Sequence, residues 1–107
     1  MRLEAYLRDQ RLLQTLLGEP MGRGEEAVKE NTLALIVEAS EMLNEVNWKL
    51  WKLEQKPLDR CKLLGELADM MKFYCNILNA MEVTEEEFDQ AWHAAEHKVK
   101  TRHHNGY

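Results

Sequence analysis

Cysteine, proline, glycine and long apolar runs are all scarce in this chain. Its 107 residues include two cysteines, two prolines and five glycines. Cys61 and Cys75 fall in one predicted helix about 21 Å apart, which excludes a disulfide between them and favours two reduced thiols. No run approaches the 18 apolar residues of a membrane span, and the start Met-Arg-Leu-Glu lacks the plan of a secretory signal. We therefore expect a cytoplasmic protein with no membrane partner.

The overall composition is that of an ordinary globular protein. Apolar residues make up 45% of the chain, charged residues 31%, and the formal charge is -5. This composition predicts one folded domain over residues 1–107 and argues against disorder. The negative charge also argues against nucleic-acid binding, because the basic residues near the C-terminus form only a small patch. That patch comprises Lys98, Lys100, Arg102, His103 and His104.

Four segments carry apolar residues at helical spacing, and nothing reads as a strand. The predicted helices cover residues 2–17, a stretch from near Glu25 as far as Lys52, about 60–81, and a stretch after Thr84 to about residue 102. Asp59 is placed as an N-cap, and Thr84-Glu-Glu-Glu87 matches a capping box. The segment Gly18–Gly24 is predicted to be a loop, because it contains Pro20 and three glycines. The fold class expected is all-α, a four-helix-bundle type with short loops, in an oligomer.

Two pairs of carboxylates are the strongest functional signal. Glu38 and Glu41 form E-x-x-E, and Glu66 and Asp69 form E-x-x-D. A three-residue spacing puts both members of a pair on one helix face, where the neighbouring residues are mostly apolar. Hard cations such as Mg²⁺ take oxygen ligands, so two such helices side by side would form a magnesium site. A di-iron site is disfavoured because no histidine follows Glu38 or Glu66 at the required spacing.

Less specific readings of these acids remain open. They could form a solvated acidic face or buried ion pairs. The chain would then be a non-enzymatic helical interaction module, or a divalent-ion store without turnover.

Tryptophan and lysine alternate just after the first acidic pair, in Trp48-Lys-Leu-Trp51-Lys52. If the second helix continues to Lys52, Lys49 and Lys52 lie near the face of Glu38 and could bind a polyphosphate. The alternative is that Glu45 and Lys49 form an ordinary i,i+4 pair and that the tryptophans are core residues.

Two amides interrupt the apolar stripe of the first helix. Gln10 and Gln14 lie one turn apart, where they could read a nucleobase edge or make an interhelical hydrogen bond. Lys98 and Arg102 share a face of the fourth helix and could hold phosphates, although alone they are ordinary surface cations. His93 and His97 also share a face, and the expectation for them is solvation and not metal binding.

The stretch ALIVEASEMLNEVNWKLWK, followed by GELADMMKFY, resembles the all-α nucleoside triphosphate pyrophosphohydrolases, the superfamily of MazG proteins and dimeric dUTPases. E-x-x-E followed by E-x-x-D is the metal motif of that superfamily. The element W-K-x-W-K and the closing Asn105-Gly-Tyr107 look like the dimeric dUTPase branch. Asn79 and Lys98-x-x-x-Arg102 look more like MazG proteins. Ala95 and Val99 depart from the dUTPase branch, which carries a lysine and an asparagine at those places.

The resemblance implies hydrolysis of a nucleoside triphosphate to the monophosphate and pyrophosphate, with Mg²⁺ as cofactor or Mn²⁺ as a substitute. The implied substrate is dUTP or a related deoxynucleotide, and a purine deoxynucleotide such as dGTP is the alternative. The implied assembly is a homodimer or a homotetramer. The implied metal ligands are Glu38, Glu41, Glu66 and Asp69. The catalytic candidates are Glu38 and Glu41, of which Glu41 would align or deprotonate the attacking water. The substrate-binding candidates are Gln10, Gln14, Trp48, Lys49, Trp51, Lys52, Asn79, Lys98 and Arg102.

Overall fold

A computed structural model describes residues 2–18 and 24–106, and this part of the chain forms four α-helices and no strand. The expected all-α fold class is therefore confirmed. Helix α3 is central, because α2 packs along it and α1 packs against its C-terminal half. The helices are α1 (Leu3–Leu16), α2 (Gly24–Leu43), α3 (Arg60–Ala80) and α4 (Glu85–His104).

Side-chain caps set the starts of α3 and α4. The Asp59 carboxylate accepts a hydrogen bond from the backbone N–H of Lys62 at 3.1 Å. The Thr84 hydroxyl accepts one from the backbone N–H of Glu87 at 3.2 Å. Each cap satisfies a backbone donor that has no partner inside the helix, so both predicted starts are confirmed.

A tight turn joins α3 to α4. The backbone N–H of Val83 donates to the carbonyl of Leu78, and that of Glu82 donates to the carbonyl of Asn79. These two bonds form a Schellman motif, which requires a left-handed residue between them, and Glu82 takes this role with φ of 54°. Val83 packs against the core beside Leu78. The turn therefore ends α3 and begins the reversal into α4.

The compact part of the core lies between α1 and α3. Leu3 and Leu7 of α1 are buried against Cys75 and Leu78 of α3. Phe88 of α4 is half-buried against this cluster, with its ring 6.1 Å from that of Tyr74. Burial also raises the pKa of the Cys75 thiol, which favours its neutral form. Cys61 and Cys75 are both free and both lie on α3, as the sequence predicts.

The second helix is shorter than its apolar pattern predicts, and the expectation that it reaches Lys52 is wrong. It ends at Leu43, where backbone bonds tighten to i→i+3 from Glu45 to Met42 and from Val46 to Leu43. Residues 44–59 form a long connection to α3 instead of a short loop. The Asn47 amide stabilises it by donating to the Lys56 carbonyl at 2.7 Å and accepting from the Lys56 N–H at 3.1 Å.

Much of the apolar surface is left uncovered. Ile36 and Val37 of α2 are more than half exposed, as are Trp92 and Val99 of α4. No helix in the described ranges is long and apolar enough to cross a membrane. The predicted loop over Gly18–Gly24 falls mostly on residues 19–23, which are outside the described residues, as is Tyr107 at the closing Asn-Gly-Tyr.

Candidate active site

Three carboxylates from two helices converge where α2 packs on α3. Glu38 of α2, Glu66 and Asp69 of α3 each offer one oxygen, and these oxygens lie within 4.8 Å of one another. Glu66 and Asp69 lie on one face of α3 because three residues correspond to about 300° of helical rotation. The side-by-side packing of α2 and α3 brings Glu38 to that face. Three of the four predicted metal ligands are therefore brought together.

The site is poorly solvated at its inner end. Glu38 and Glu66 are half-buried, and Oε2 of each is shielded from solvent without a hydrogen-bond partner among the described residues. Burial raises the pKa of Glu38 to about 7, helped by the hydrogen bond that a protonated Glu38 shares with Glu66 and by the negative charge of Glu41. Asp69 is exposed, so the group opens to solvent on one side.

A divalent cation fits these observations. Carboxylate oxygens that are buried without a donor are costly, and a positive charge removes this cost. Three oxygens and no sulfur or nitrogen in the group match the ligand preference of Mg²⁺ or Mn²⁺ and not that of zinc. Buried ion pairs, which were the alternative reading, do not account for the shielded oxygens.

Glu41 does not join the converging group. It lies one turn after Glu38 on α2, and its side chain is exposed. Its charge nevertheless raises the pKa of Glu38, so the two carboxylates are electrostatically coupled. Glu41 is therefore a solvent-accessible carboxylate beside the converging group.

The tryptophan-lysine segment lies in the connection after α2 and not on the helix. Trp48 and Trp51 meet edge to face with ring centroids 5.9 Å apart, and the Lys49 ammonium lies 5.3 Å from the Trp48 ring centre. Trp48 is 42% exposed and Trp51 is 72% exposed, so the alternative that both are core residues is wrong for this protomer. Lys52 is exposed as well.

This connection lines a cavity of about 420 Å³ that is open to solvent. Its lining includes the predicted Trp48, Lys49 and Lys52, the carboxylate of Glu54, and three amides that were not predicted, Asn44, Asn47 and Gln55. The signal for two of them was present, because Asn44 and Asn47 follow the end of α2 three residues apart. An aromatic ring, amides and ammonium groups in one cavity are suited to a base and its phosphates.

The predicted residues on α1 face α3. Gln10 is buried and Gln14 is half-buried, and both continue the face that carries Leu3 and Leu7. Asn79 of α3 is buried too. Its amide donates to the carbonyl of Leu7 at 3.1 Å and accepts from the guanidinium of Arg11 at 3.0 Å. The structure thus gives Asn79 a role in joining α1 to α3, which competes with the predicted role in substrate binding.

The predicted cations of α4 are on the surface. Lys98 and Arg102 are exposed in its C-terminal half. His93 and His97 are exposed as well, and His93 lies 3.5 Å from the carboxylate of Asp89. Neither histidine belongs to the group of candidate ligands found in the described ranges.

Comparison with protein families gives one result that covers nearly the whole chain. A family model described as dUTPase matches residues 2–105. No curated protein and no solved structure matches the chain. Since the match spans all four helices and the three converging carboxylates, the chain belongs to the dUTPase family of all-α, dimeric dUTPase-like and MazG-like proteins.

Proposed function

We propose that this protein is a Mg²⁺-dependent hydrolase that converts a deoxynucleoside triphosphate, with dUTP favoured, to the monophosphate and pyrophosphate. Membership of the dUTPase family supports hydrolysis of a nucleotide anhydride bond at the level of the family. The observation that carries the proposal is the convergence of Glu38, Glu66 and Asp69, in which two shielded oxygens have no hydrogen-bond partner within residues 2–18 and 24–106. Such a group would hold a hard divalent cation, which would supply positive charge to the phosphates of a nucleotide.

Glu38, Glu66 and Asp69 would hold the cation, and Glu41 could complete the set from the exposed side of α2. When bound, Mg²⁺ supplies positive charge that polarises phosphoryl oxygens and neutralises charge that develops during displacement. Glu41 is our candidate for the carboxylate that orients the attacking water and accepts its proton, because it is exposed and next to Glu38. Glu38 would remain ionised as a ligand, since the cation offsets the burial that raises its pKa.

The remaining predicted contacts fall into two groups by chemistry. Ammonium and guanidinium groups would hold the phosphates, and amides and indoles would contact the base. The first group is Lys49, Lys52, Lys98 and Arg102, and the second is Gln10, Gln14, Trp48 and Trp51. Asn79 is left out of both groups because its amide is bonded to α1. We expect a homodimer or homotetramer, in which a partner subunit completes each site.

The test is release of pyrophosphate by the purified protein with Mg²⁺ and each deoxynucleoside triphosphate in turn. We expect release that a chelator stops and Mg²⁺ restores. Glu38→Gln and Asp69→Asn should each abolish release while leaving helicity intact. Glu30→Gln is the matched control, because Glu30 is an exposed carboxylate on the same helix as Glu38 and outside the converging group.

The outcomes separate the alternatives. Activity that survives both Glu38→Gln and Asp69→Asn would reject the site. Cation binding without turnover of any nucleotide would favour an ion store, and neither binding nor turnover would favour a non-enzymatic interaction module. A preference for dGTP over dUTP would keep the chemistry and overturn the favoured base.

A further inference from the structure

One side-chain hydrogen bond joins α2 to α3 away from the converging carboxylates. The Asn76 amide donates to Oδ1 of Asn31 at 3.1 Å, and both residues are half-buried. Asn31 donates to the carbonyl of Ala27 at 2.8 Å, so its amide nitrogen is held within α2 and its oxygen is left for Asn76. Apart from the carboxylates, no other side-chain hydrogen bond links residues 24–43 to residues 60–80. The asparagine pair is therefore the directional contact between the two helices that carry the candidate site.

The asparagine pair and the carboxylates belong to one register of the two helices. Asn31 and Glu38 are seven residues apart on α2, and Asp69 and Asn76 are seven residues apart on α3. Seven residues correspond to about 700° and about 10.5 Å, so each helix carries its amide and its acid on one face, two turns apart. Asn31 meets Asn76 and Glu38 meets Asp69, so the helices run antiparallel and a single register satisfies both contacts.

Apolar packing also fits a second register. Half-buried apolar residues recur every seven positions on both helices, and they are Val28, Leu35 and Met42 on α2 and Leu63, Met70 and Ile77 on α3. A shift of α2 along α3 by seven residues would set two of these three layers level again. The connection of residues 44–59 is long enough to follow a shift of about 10.5 Å.

The carboxylates oppose the observed register when no cation is bound. Ionised Glu38 adds a third negative charge to those of Glu66 and Asp69, and charges of one sign repel each other. A shift by seven residues in either direction would carry Glu38 away from both acids. The same shift would break the bond between Asn31 and Asn76, so this bond opposes the shift that the acids favour.

We infer that the bond between Asn31 and Asn76 fixes the register of α2 on α3 and thereby holds Glu38 against Glu66 and Asp69. A polar asparagine in an otherwise apolar helix contact is known to specify register at a cost in stability. Asn31 and Asn76 are therefore positioning residues: they lie two turns from the acids and act on the site through the packing of the helices. The consequence for the cation rests on the proposed function, and the consequence for the register does not.

The first test measures the register without any cation. Spin labels are attached at Glu30→Cys of α2 and Lys72→Cys of α3, two exposed positions, in a Cys61→Ser background that leaves only the buried Cys75. Distances are measured by pulsed electron paramagnetic resonance in chelator, with an excess of unlabelled protein so that only distances within one protomer contribute. We expect one distance with the asparagine pair intact.

Replacing both asparagines should add a second distance. Asn31→Leu combined with Asn76→Leu should keep the midpoint of thermal unfolding, because both amides give way to apolar side chains and neither is left unpaired. Asn76→Ala breaks the same bond by one substitution and should add the second distance as well, so the test does not depend on the double variant folding. A single, unchanged distance in both variants would overturn the inference.

The matched control is Ile77→Val, which removes one methylene from a half-buried residue next to Asn76. It should lower stability through packing alone and keep one distance. A second distance in this variant would show that any weakened contact lets α2 shift, and would overturn the specific role of the asparagine pair.

The second test measures binding of Mn²⁺, followed by the resonance signal of the free ion. If about one tenth of the double variant keeps the acids converged, its dissociation constant should rise about tenfold, while Ile77→Val should leave the constant unchanged. A second distance together with wild-type affinity for Mn²⁺ would overturn the positioning role. A wild-type protein that binds no Mn²⁺ would defeat the proposed function, and the distance measurement would still decide the register.

Discussion

Replacement of Asn79 by Ala tests whether this residue holds the fold together or contacts the substrate. Its amide is buried and makes two hydrogen bonds to α1, one to the Leu7 carbonyl and one from the Arg11 guanidinium. A buried amide bond to a carbonyl contributes about 1 kcal/mol, and the Arg11 bond contributes about another 1 kcal/mol because Arg11 is exposed. We therefore expect Asn79→Ala to lower the free energy of unfolding by about 2 kcal/mol.

The corresponding shift in the melting temperature is large enough to measure. At about 2.1 cal/mol/K of unfolding entropy per residue, a loss of about 2 kcal/mol corresponds to about 9 °C for a chain of this length. The assay is thermal unfolding followed by circular dichroism at one fixed protein concentration, because assembly also changes the midpoint. Asn76→Ala is the comparison. Asn76 lies one turn earlier and donates one half-buried bond to Asn31, so its loss should cost about 4 °C.

A double-mutant cycle assigns the effect to the α1 contact. Arg11→Ala removes one partner of Asn79, and the two changes together should cost about 0.5 to 1 kcal/mol less than the sum of the single changes. If Asn79 instead serves the substrate, Asn79→Ala should raise KM for the nucleotide while the midpoint moves by less than about 2 °C. That result would refute the assignment of Asn79 to the packing of α1 on α3.

Three further changes test the site and the elements that position it. Without a divalent cation, the free energy of unfolding should fall as the pH rises from 4.5 to about 7, because Glu38 binds its proton more tightly in the folded chain than in the unfolded chain. Thermal unfolding in the presence of a chelator should show this fall, and Glu38→Gln should remove it. Asp59→Ala removes the cap of α3 and should lower the midpoint of thermal unfolding by about 4 °C. An unchanged midpoint would show that this cap does not stabilise the fold. Asn47→Ala breaks both bonds to Lys56 and should raise KM about threefold or more while the midpoint hardly moves, and an unchanged KM would separate the connection from substrate binding.

The sequence predicted the helix ends correctly where contacts between nearby residues determine them. The caps at Asp59 and Thr84 depend on bonds to residues three positions away, so the pattern of nearby residues is sufficient to place them. The end of α2 is different. Apolar residues continue through Val46, but Asn47 bonds to Lys56 nine residues later, and a competing contact of this kind is invisible to helical periodicity.

In the candidate site too, local spacing predicted some positions, while others depend on how the helices pack. Spacing alone places Glu66 and Asp69 on one face of α3, and their convergence with Glu38 follows once α2 packs on α3. The separate position of Glu41 could not be predicted, because it depends on how far α2 is rotated about its axis in that packing. Asn79 is a further case, since the crossing of α1 over α3 decides which of its possible roles the amide can fill.

Folding and the proposed reaction require different protonation states of Glu38. Without a cation, the fold gains from a proton on this carboxyl, because burial disfavours its charged form, Glu66 and Glu41 are close, and one of its oxygens has no hydrogen-bond partner in the part of the chain that the structure describes. The proposed reaction needs the same carboxylate ionised, since a protonated acid is a poor ligand for a hard cation. Cation binding should therefore release a proton near neutral pH and stabilise the fold in the same step. A neutral amide at position 38 would keep the fold and lose the cation, so stability and activity should separate at this one residue.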